Sequence, residues 1–177
     1  VHQGAALEAK PLAWGSLEDV ALAPGQGAPR LVLLDQVTDP HNVGAILRSA
    51  EVLGANAVIG TLRHSAPETG ALAKTASGAL ERQPYVRMRN LAETIIQLQD
   101  MGYLVVGLDG DAEQSLDAVA ADNKDRAIAL VLGAEGPGLR QRTKETVDML
   151  VKIPFSREFG SLNVSNAAAV ALYAVQN

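Results

Sequence analysis

The chain has no cysteine among its 177 residues, which excludes disulfide bonds, thiolate catalysis and cysteine metal sites. Its three histidines, His2, His41 and His64, show no metal-ligand spacing, so we predict no metal site. The net charge of −5 gives no global positive field for nonspecific nucleic-acid binding. The longest apolar run, 167–175, is shorter than the ~20 residues that a bilayer-spanning helix needs. These absences favour a soluble, cytoplasmic protein.

The length of the chain fits a single domain of ordinary size. Residues 1–29 are rich in Ala, Gly and Pro and end in the linker-like stretch "LAPGQGAP". We predict that they form a connector with one short helix near 16–20, and that 30–177 form the folded domain. Because the sequence starts at Val1 and shows no secretion segment, we expect that an N-terminal part of the protein precedes it.

Regular hydrophobic patterning begins at Arg30. Short apolar runs predict six strands, over 30–35, 56–60, 85–88, 103–109, 126–133 and 149–153. Helical spacing predicts helices over 42–53, part of 68–81, 90–101, 115–120, 139–146 and 163–176. Continuous apolar strands that alternate with helices predict an α/β fold with a mostly parallel sheet and helices on both faces.

Three strand ends carry the Gly, Pro, Asn and Ser residues that ligand-binding loops use. In open α/β sheets, ligands bind beyond the carboxyl ends of the strands. The first such stretch is "DPHNVGAILRSAEVLGA", after the strand over 30–35, and the second is "LVLGAEGPGL", at the end of the strand over 126–133. The third is "IPFSREFGSLNVSNAAAVALY", which follows the last strand. We therefore expect a ligand site where these three stretches meet.

Each stretch also has a purely structural interpretation. Asn42 can cap the helix that it opens, with Arg48 as a solvated surface residue. Glu135, which lies between glycines, can mark a tight turn near a helix N-terminus. Ser161 or Asn163 can cap the last helix, although four small polar residues within six are more than a cap requires. None of the stretches matches a Rossmann fingerprint or a P-loop.

Taken together and in this order, the three stretches resemble the SpoU/TrmH-type RNA ribose 2′-O-methyltransferases of the SPOUT superfamily. The similarity extends from about Arg30 to Val175. The resemblance implies a C-terminal trefoil knot, S-adenosylmethionine as cofactor, and a homodimer formed through the C-terminal helix with an active site shared between subunits. It also implies that 1–29 are the remnant of a linker to an N-terminal RNA-recognition domain, and that 30–177 are the catalytic domain.

The resemblance assigns roles to particular residues. The polar and catalytic positions of the family correspond to Asn42, Arg48, Glu135, Ser161 and Asn163. The backbone contacts to the cofactor correspond to Leu132, Gly133, Ile153 and Leu162. Phe155, Arg157 and Asn166 depart from the family pattern, and these departures affect the shape of the loop and its RNA contacts more than the chemistry.

The implied function is transfer of a methyl group from S-adenosylmethionine to a ribose 2′-hydroxyl. A guanosine of 23S rRNA is the expected substrate, and tRNA is the alternative. A noncatalytic RNA-binding or ribosome-assembly homologue of the same fold, or an α/β enzyme that uses another nucleotide, are rival hypotheses. RNA binding needs positive charge, and the candidate residues are Arg63, Arg82, Arg87, Arg89, Arg140, Arg142 and Arg157.

Overall fold

The computed structural model describes residues 4, 6, 8–156 and 160–177. His2 and Arg157 therefore lie outside the described residues. The strands are β1 (Arg30–Asp35), β2 (Ala57–Thr61), β3 (Tyr85–Met88), β4 (Leu104–Leu108), β5 (Gln114–Ser115), β6 (Ile128–Gly133) and β7 (Met149–Lys152). The helices are α1 (Leu17–Ala21), α2 (Pro40–Val52), α3 (Gly70–Ala76), α4 (Leu91–Asp100), α5 (Leu116–Asp122), α6 (Gln141–Thr146) and α7 (Val164–Ala174), with a 3₁₀ turn at Ala79–Glu81.

The strands form one parallel sheet in the order β3-β2-β1-β6-β4-β7-β5. The six predicted strands are confirmed to within two residues at each end. The sequence pattern missed β5, because two polar edge residues leave no hydrophobic run to detect. β1 lies next to both β2 and β6, with Asp35 opposite Gly133 at the carboxyl end of the pair. The predicted α/β fold with a mostly parallel sheet is therefore confirmed.

Helices cover both faces of the sheet, as predicted. Alternate residues of β1 point to opposite faces, so that Val32 and Leu34 pack under α2, α3, α5 and α7. Leu31 and Leu33 pack under α1 and α4 on the other face. This alternation is the period of two that a strand buried on both faces must have.

The helix α2 begins two residues earlier than the sequence pattern predicts, at Pro40. Asp39 is its N-cap, and its side chain accepts a hydrogen bond of 2.9 Å from the backbone N–H of His41. Proline is favoured directly after the cap because its missing N–H would have no helical partner there. The prediction that Asn42 caps this helix is wrong. Asn42 lies in the first turn, and its side chain is available for other contacts.

The helix α1 lies within the stretch that was predicted to be a connector, near the expected position of 16–20. Its residues Leu17, Val20 and Ala21 are buried against the sheet. The hydroxyl of Tyr103 donates a hydrogen bond of 2.5 Å to the carbonyl of Ala21. This helix therefore packs as part of the α/β fold, while the division at residue 29 stays a prediction.

The helix α7 packs on α2 and the sheet through Val164, Ala168, Ala171 and Leu172. Its opposite face is exposed: Tyr173 is 72% and Val170 43% accessible. Because this helix is apolar nearly all round, burial of both its faces is expected. Within one chain only one face is buried, and the dimer that would cover the other face stays a prediction. The trefoil knot also stays a prediction, because it depends on how loops thread and not on strand order.

Within the described residues, no helix is both long enough and apolar enough to cross a membrane.

Candidate active site

The loop after β6 is folded tightly against the end of its own strand. The backbone N–H of Gly138 donates to the carbonyl of Ala134 at 2.9 Å, and the two residues form an isolated antiparallel bridge. A Cβ atom on Gly133 would lie only 2.2 Å from the carbonyl carbon of Gly138. Gly136 and Gly138 have positive φ angles of 83° and 70°, which L side chains rarely adopt. The glycines are therefore required for this return of the backbone.

This loop holds Glu135 beside the start of α7. The side-chain nitrogen of Asn163 donates to Oε1 of Glu135 at 2.5 Å, and the backbone N–H of Val164 donates to the same oxygen at 3.3 Å. The carboxylate therefore lies at a helix N-terminus, where negative charge is stabilised. The predicted juxtaposition of the second and third stretches is confirmed.

Asn163 also connects the site to the first stretch. Its Nδ2 donates to Oδ1 of Asn42 at 3.0 Å. Its own Oδ1 accepts from the backbone N–H of Ser165 at 2.9 Å and from the hydroxyl of Ser165. The cap of α7 is thus also the residue that joins Asn42 and Glu135. These bonds account for Asn163 and Ser165, two of the four small polar residues at this helix start.

A cavity of about 580 Å³ opens beyond the carboxyl ends of β4, β6 and β7. All four residues predicted to contact a cofactor line it, namely Leu132, Gly133, Ile153 and Leu162. Three of the five predicted catalytic residues, Glu135, Ser161 and Asn163, line it as well. Seven of the predicted site residues therefore line one cavity.

A smaller cavity of about 210 Å³ adjoins the large one and is lined by Asn42, Asp39 and Gln36. Both cavities are lined by Glu135 and Val164, so the carboxylate lies between them. Gln36 has a positive φ of 59°, which is a strained conformation for a non-glycine residue. The carboxylate of Glu135 therefore separates a large cavity with apolar and polar lining from a small cavity lined mainly by polar residues.

Asp109, which follows β4, also lines the large cavity, although no sequence pattern indicated it as a site residue. Lys144 forms an ion pair with it at 2.8 Å. The hydrogen bond from Lys144 is the main cause that lowers the pKa of Asp109, followed by the hydrogen bond from the backbone N–H of Asp111. The strand end "GLDGDA" resembled an ordinary acidic turn, and only its position next to β7 shows that it borders the cavity.

Arg48 is not brought together with the other predicted catalytic residues. It lies on the exposed side of α2 and lines neither cavity. Six residues after Asn42, it points about 120° away around the helix. No hydrogen bond or ion pair to its side chain occurs within the described part of the chain. Within a single subunit, Arg48 therefore does not reach the carboxylate of Glu135.

In the described residues, no group of three or more His, Asp or Glu side chains is placed to hold a metal ion.

Comparison with known proteins gives consistent results. The family model of the SpoU rRNA Methylase family matches residues 29–173. The chain is 46% identical, over 97% of its length and 68% of the relative's, to the 23S rRNA (guanosine-2′-O-)-methyltransferase RlmB of Ralstonia nicotianae. It is 42% identical to the protein of the same name from Vibrio vulnificus, over 97% of this chain and 69% of the relative.

Solved structures share the fold. The SpoU methyltransferase AviRb from Streptomyces viridochromogenes, in complex with the cofactor AdoMet, matches with a TM-score of 0.78 and 28% identity. The match covers 90% of this chain and 63% of that one, so this chain spans less than two thirds of that protein. An AdoMet-bound rRNA methyltransferase from Sinorhizobium meliloti matches with a TM-score of 0.76 and 25% identity, over 88% of this chain and 59% of that one. The chain therefore belongs to the SpoU rRNA methylase family.

Proposed function

We propose that this chain is the catalytic part of an S-adenosylmethionine-dependent methyltransferase that acts on a ribose 2′-hydroxyl of RNA. The single observation that carries the proposal is the hydrogen-bonded contact of Asn42, Glu135 and Asn163 at the border of two cavities. Each of these residues comes from a different one of the three stretches that resemble the family. Relatives at 42–46% identity are named as 23S rRNA guanosine-2′-O-methyltransferases, so a guanosine of 23S rRNA is the proposed substrate.

The large cavity fits the cofactor in size and chemistry. Its volume of about 580 Å³ lies within the roughly 300–1,000 Å³ typical of small-molecule sites. Leu132, Ile153 and Leu162 offer apolar contact for an adenine ring. Because Gly133 has no side chain, a ligand can contact its backbone directly. Glu135 supplies negative charge in the wall, which complements a sulfonium cation. When bound, the cofactor supplies the electrophilic methyl group.

The residues of the smaller cavity would position the acceptor ribose. Asn42 and Asn163 hold each other through side-chain amides, so both are oriented before the substrate arrives, and such preorganisation lowers the entropic cost of reaching the reactive geometry. Glu135 fixes the donor group of Asn163. Ser161 lies on the wall of the large cavity and would orient the ribose or Arg48.

Arg48 would act in the active site of the partner subunit. It is exposed on α2, and α2 packs against α7, whose Val170 and Tyr173 are exposed in the single chain. A homodimer that covers this surface would bring Arg48 to the other subunit's cavities. Because a guanidinium is a very poor base, we assign it to binding the adjacent RNA phosphate and stabilising the developing alkoxide.

The proposal also includes the knot, a cytoplasmic location, and RNA recognition by an N-terminal domain such as many family members carry. A noncatalytic homologue of the fold is disfavoured, because the side chains that would orient a reacting ribose are present and in mutual contact.

Calorimetry with S-adenosylmethionine is the first test, and absence of binding would refute the methyltransferase proposal. The second test is Arg48→Ala, which should lower methyl transfer by about 10²-fold or more while cofactor affinity stays unchanged. Methyl transfer at the wild-type rate would refute the role of Arg48. Mapping the ribose methylations that disappear in a deletion strain would separate the rRNA substrate from the tRNA alternative.

A further inference from the structure

A third cavity, of about 250 Å³, lies at the same edge of the sheet, beyond the carboxyl ends of β2 and β3. Five basic side chains line it: Arg63, His64, Arg89, Arg140 and Arg142. Among the described residues that line it there is no carboxylate. In a chain whose net charge is −5, such a concentration of positive charge is not explained by composition.

Three of these arginines are not paired with a carboxylate in the described part of the chain. No ion pair or hydrogen bond to the side chains of Arg63, Arg89 or Arg142 occurs within the part of the chain that the structure describes. Arg140 differs, because its Nε and its backbone N–H both donate to the carboxylate of Asp35, at 2.6 and 2.9 Å. By contrast, Arg82 and Arg87 outside the cavity are paired with Glu51 and Glu68. Three unpaired guanidinium groups therefore meet at this cavity.

Backbone donors complete the lining of the cavity. The helix α4 starts here, with Asn90 as its cap and Leu91 and Ala92 as its first residues. The N–H groups of the first helical residues have no carbonyl partner within the helix, and the helix dipole favours an anion at this end. Free guanidinium groups together with unsatisfied N–H groups are the chemistry that binds a phosphate.

The position of this cavity relates it to the methyl-transfer site. Arg140 connects the two, since its partner Asp35 ends β1 opposite Gly133, which lines the large cavity. Neighbouring strands are about 4.8 Å apart, so the ends of β2 and β3 lie roughly 5 and 10 Å from the end of β1. This distance is short enough for one RNA strand to contact both sites.

We propose that this basic cavity, defined by Arg63, His64, Arg89, Arg140 and Arg142, binds a backbone phosphate of the RNA substrate a few nucleotides from the methylated ribose. The inference rests on the proposed function, because it assigns the anion to RNA. The cavity holds the strand beside the reaction site, and it supplies local positive charge that the acidic chain as a whole lacks.

The test compares RNA binding by the wild-type chain and by the double variant Arg89→Ala/Arg142→Ala. A fluorescently labelled single-stranded RNA of the substrate sequence is titrated at several salt concentrations. We expect affinity to fall about tenfold, and the salt dependence of log K to weaken by roughly 0.7, the value for one phosphate that is no longer neutralised. The matched control is Arg126→Ala, an exposed arginine just before β6 at the opposite edge of the sheet, which should leave both values unchanged.

Cofactor calorimetry on the same samples separates this inference from the proposed function. Unchanged S-adenosylmethionine binding together with weaker RNA binding supports the basic cavity. If the cofactor binds but the double variant keeps wild-type RNA affinity and salt dependence, the inference is overturned and the proposed function stands. It is also overturned if the wild-type chain binds no RNA at low salt. A parallel titration with inorganic phosphate gives a further check: if the double variant loses phosphate binding but keeps its RNA binding, the inference is overturned as well. Absence of cofactor binding would refute the proposed function alone.

Discussion

The side-chain oxygen of Asn42 accepts a hydrogen bond of 3.0 Å from the side-chain nitrogen of Asn163, which lies 121 positions later in the chain. The same nitrogen donates to Glu135. One amide group therefore connects the starts of two helices with the loop after β6. Substitutions at these three residues should therefore have non-additive effects on stability, since residues in direct contact are energetically coupled.

We expect Glu135→Gln to weaken S-adenosylmethionine binding about tenfold, or ~1.4 kcal/mol. The amide oxygen of glutamine can still accept from Asn163, so the loop keeps its shape while the negative charge is removed. Calorimetry should show that S-adenosylhomocysteine, which lacks the positive charge on sulfur, binds almost as before. An equal loss of affinity for both ligands would show that Glu135 acts by shape and not by charge.

We expect Gly133→Ala to abolish measurable cofactor binding. The added Cβ would lie 2.2–2.4 Å from backbone atoms of Gly138 and Leu139, so the loop must move, at a cost of about 1–3 kcal/mol of unfolding free energy. Calorimetry and thermal unfolding measure the two effects. Gly110→Ala is the matched control, because Gly110 lines the same cavity and its added Cβ would meet nothing within 4 Å. Normal binding by the Gly133 variant would contradict this steric explanation.

If Arg48 acts across a dimer, two inactive variants should complement each other. A mixed dimer of Arg48→Ala and Gly133→Ala subunits has one site with an intact cofactor cavity and the partner's Arg48. After unfolding and refolding together, the mixture should regain about one quarter of wild-type methyl transfer, because half of the dimers are mixed and each has one complete site. Activity no greater than that of the separate variants would place Arg48 in its own subunit's site.

The Asp109–Lys144 pair predicts a pH-dependent contribution to stability. The hydrogen bond from Lys144 lowers the pKa of Asp109 in the folded state. A depressed carboxyl pKa stabilises the fold above the unfolded pKa, and this stabilisation is lost as the pH falls through the folded pKa. We expect Lys144→Gln to lower Tm at pH 7 and to have no effect on Tm once Asp109 is protonated. Lys124→Gln, exposed near Asn123 at the end of α5, is the control. A Tm difference that persists in acid would contradict the ion-pair explanation.

The sequence predicted much of this fold because its strands are buried on both faces. Such strands are continuous apolar runs, and β1 and β6 could be identified from residue types alone. The two-residue β5 could not, since its pairing is decided by its neighbour β7. The start of α2 was misjudged because Asp39 and Asn42 are both good caps. In the structure Asp39 is the cap, and the side chain of Asn42 accepts a hydrogen bond from Asn163.

The candidate site divides in the same way. The polar residues at the strand ends pointed to Glu135, Ser161 and Asn163, which line the large cavity. The cavity position of Asp109 was not visible, because nothing in "GLDGDA" indicates that β4 lies between β6 and β7. The sequence did allow a solvated Arg48, and the structure shows that it is exposed and lines neither cavity of the candidate site.

By itself, the sequence determined the parallel α/β class, the three polar strand ends and the glycines that let the loop after β6 fold back. These are local properties, set by hydrophobic period and by backbone angles that only glycine adopts easily. The tertiary structure alone decided which polar residues meet. Asn42 meets Asn163, and Arg63, Arg89 and Arg142 from three separate segments meet at one cavity. Contacts between such distant segments depend on how the sheet is assembled and not on any local pattern.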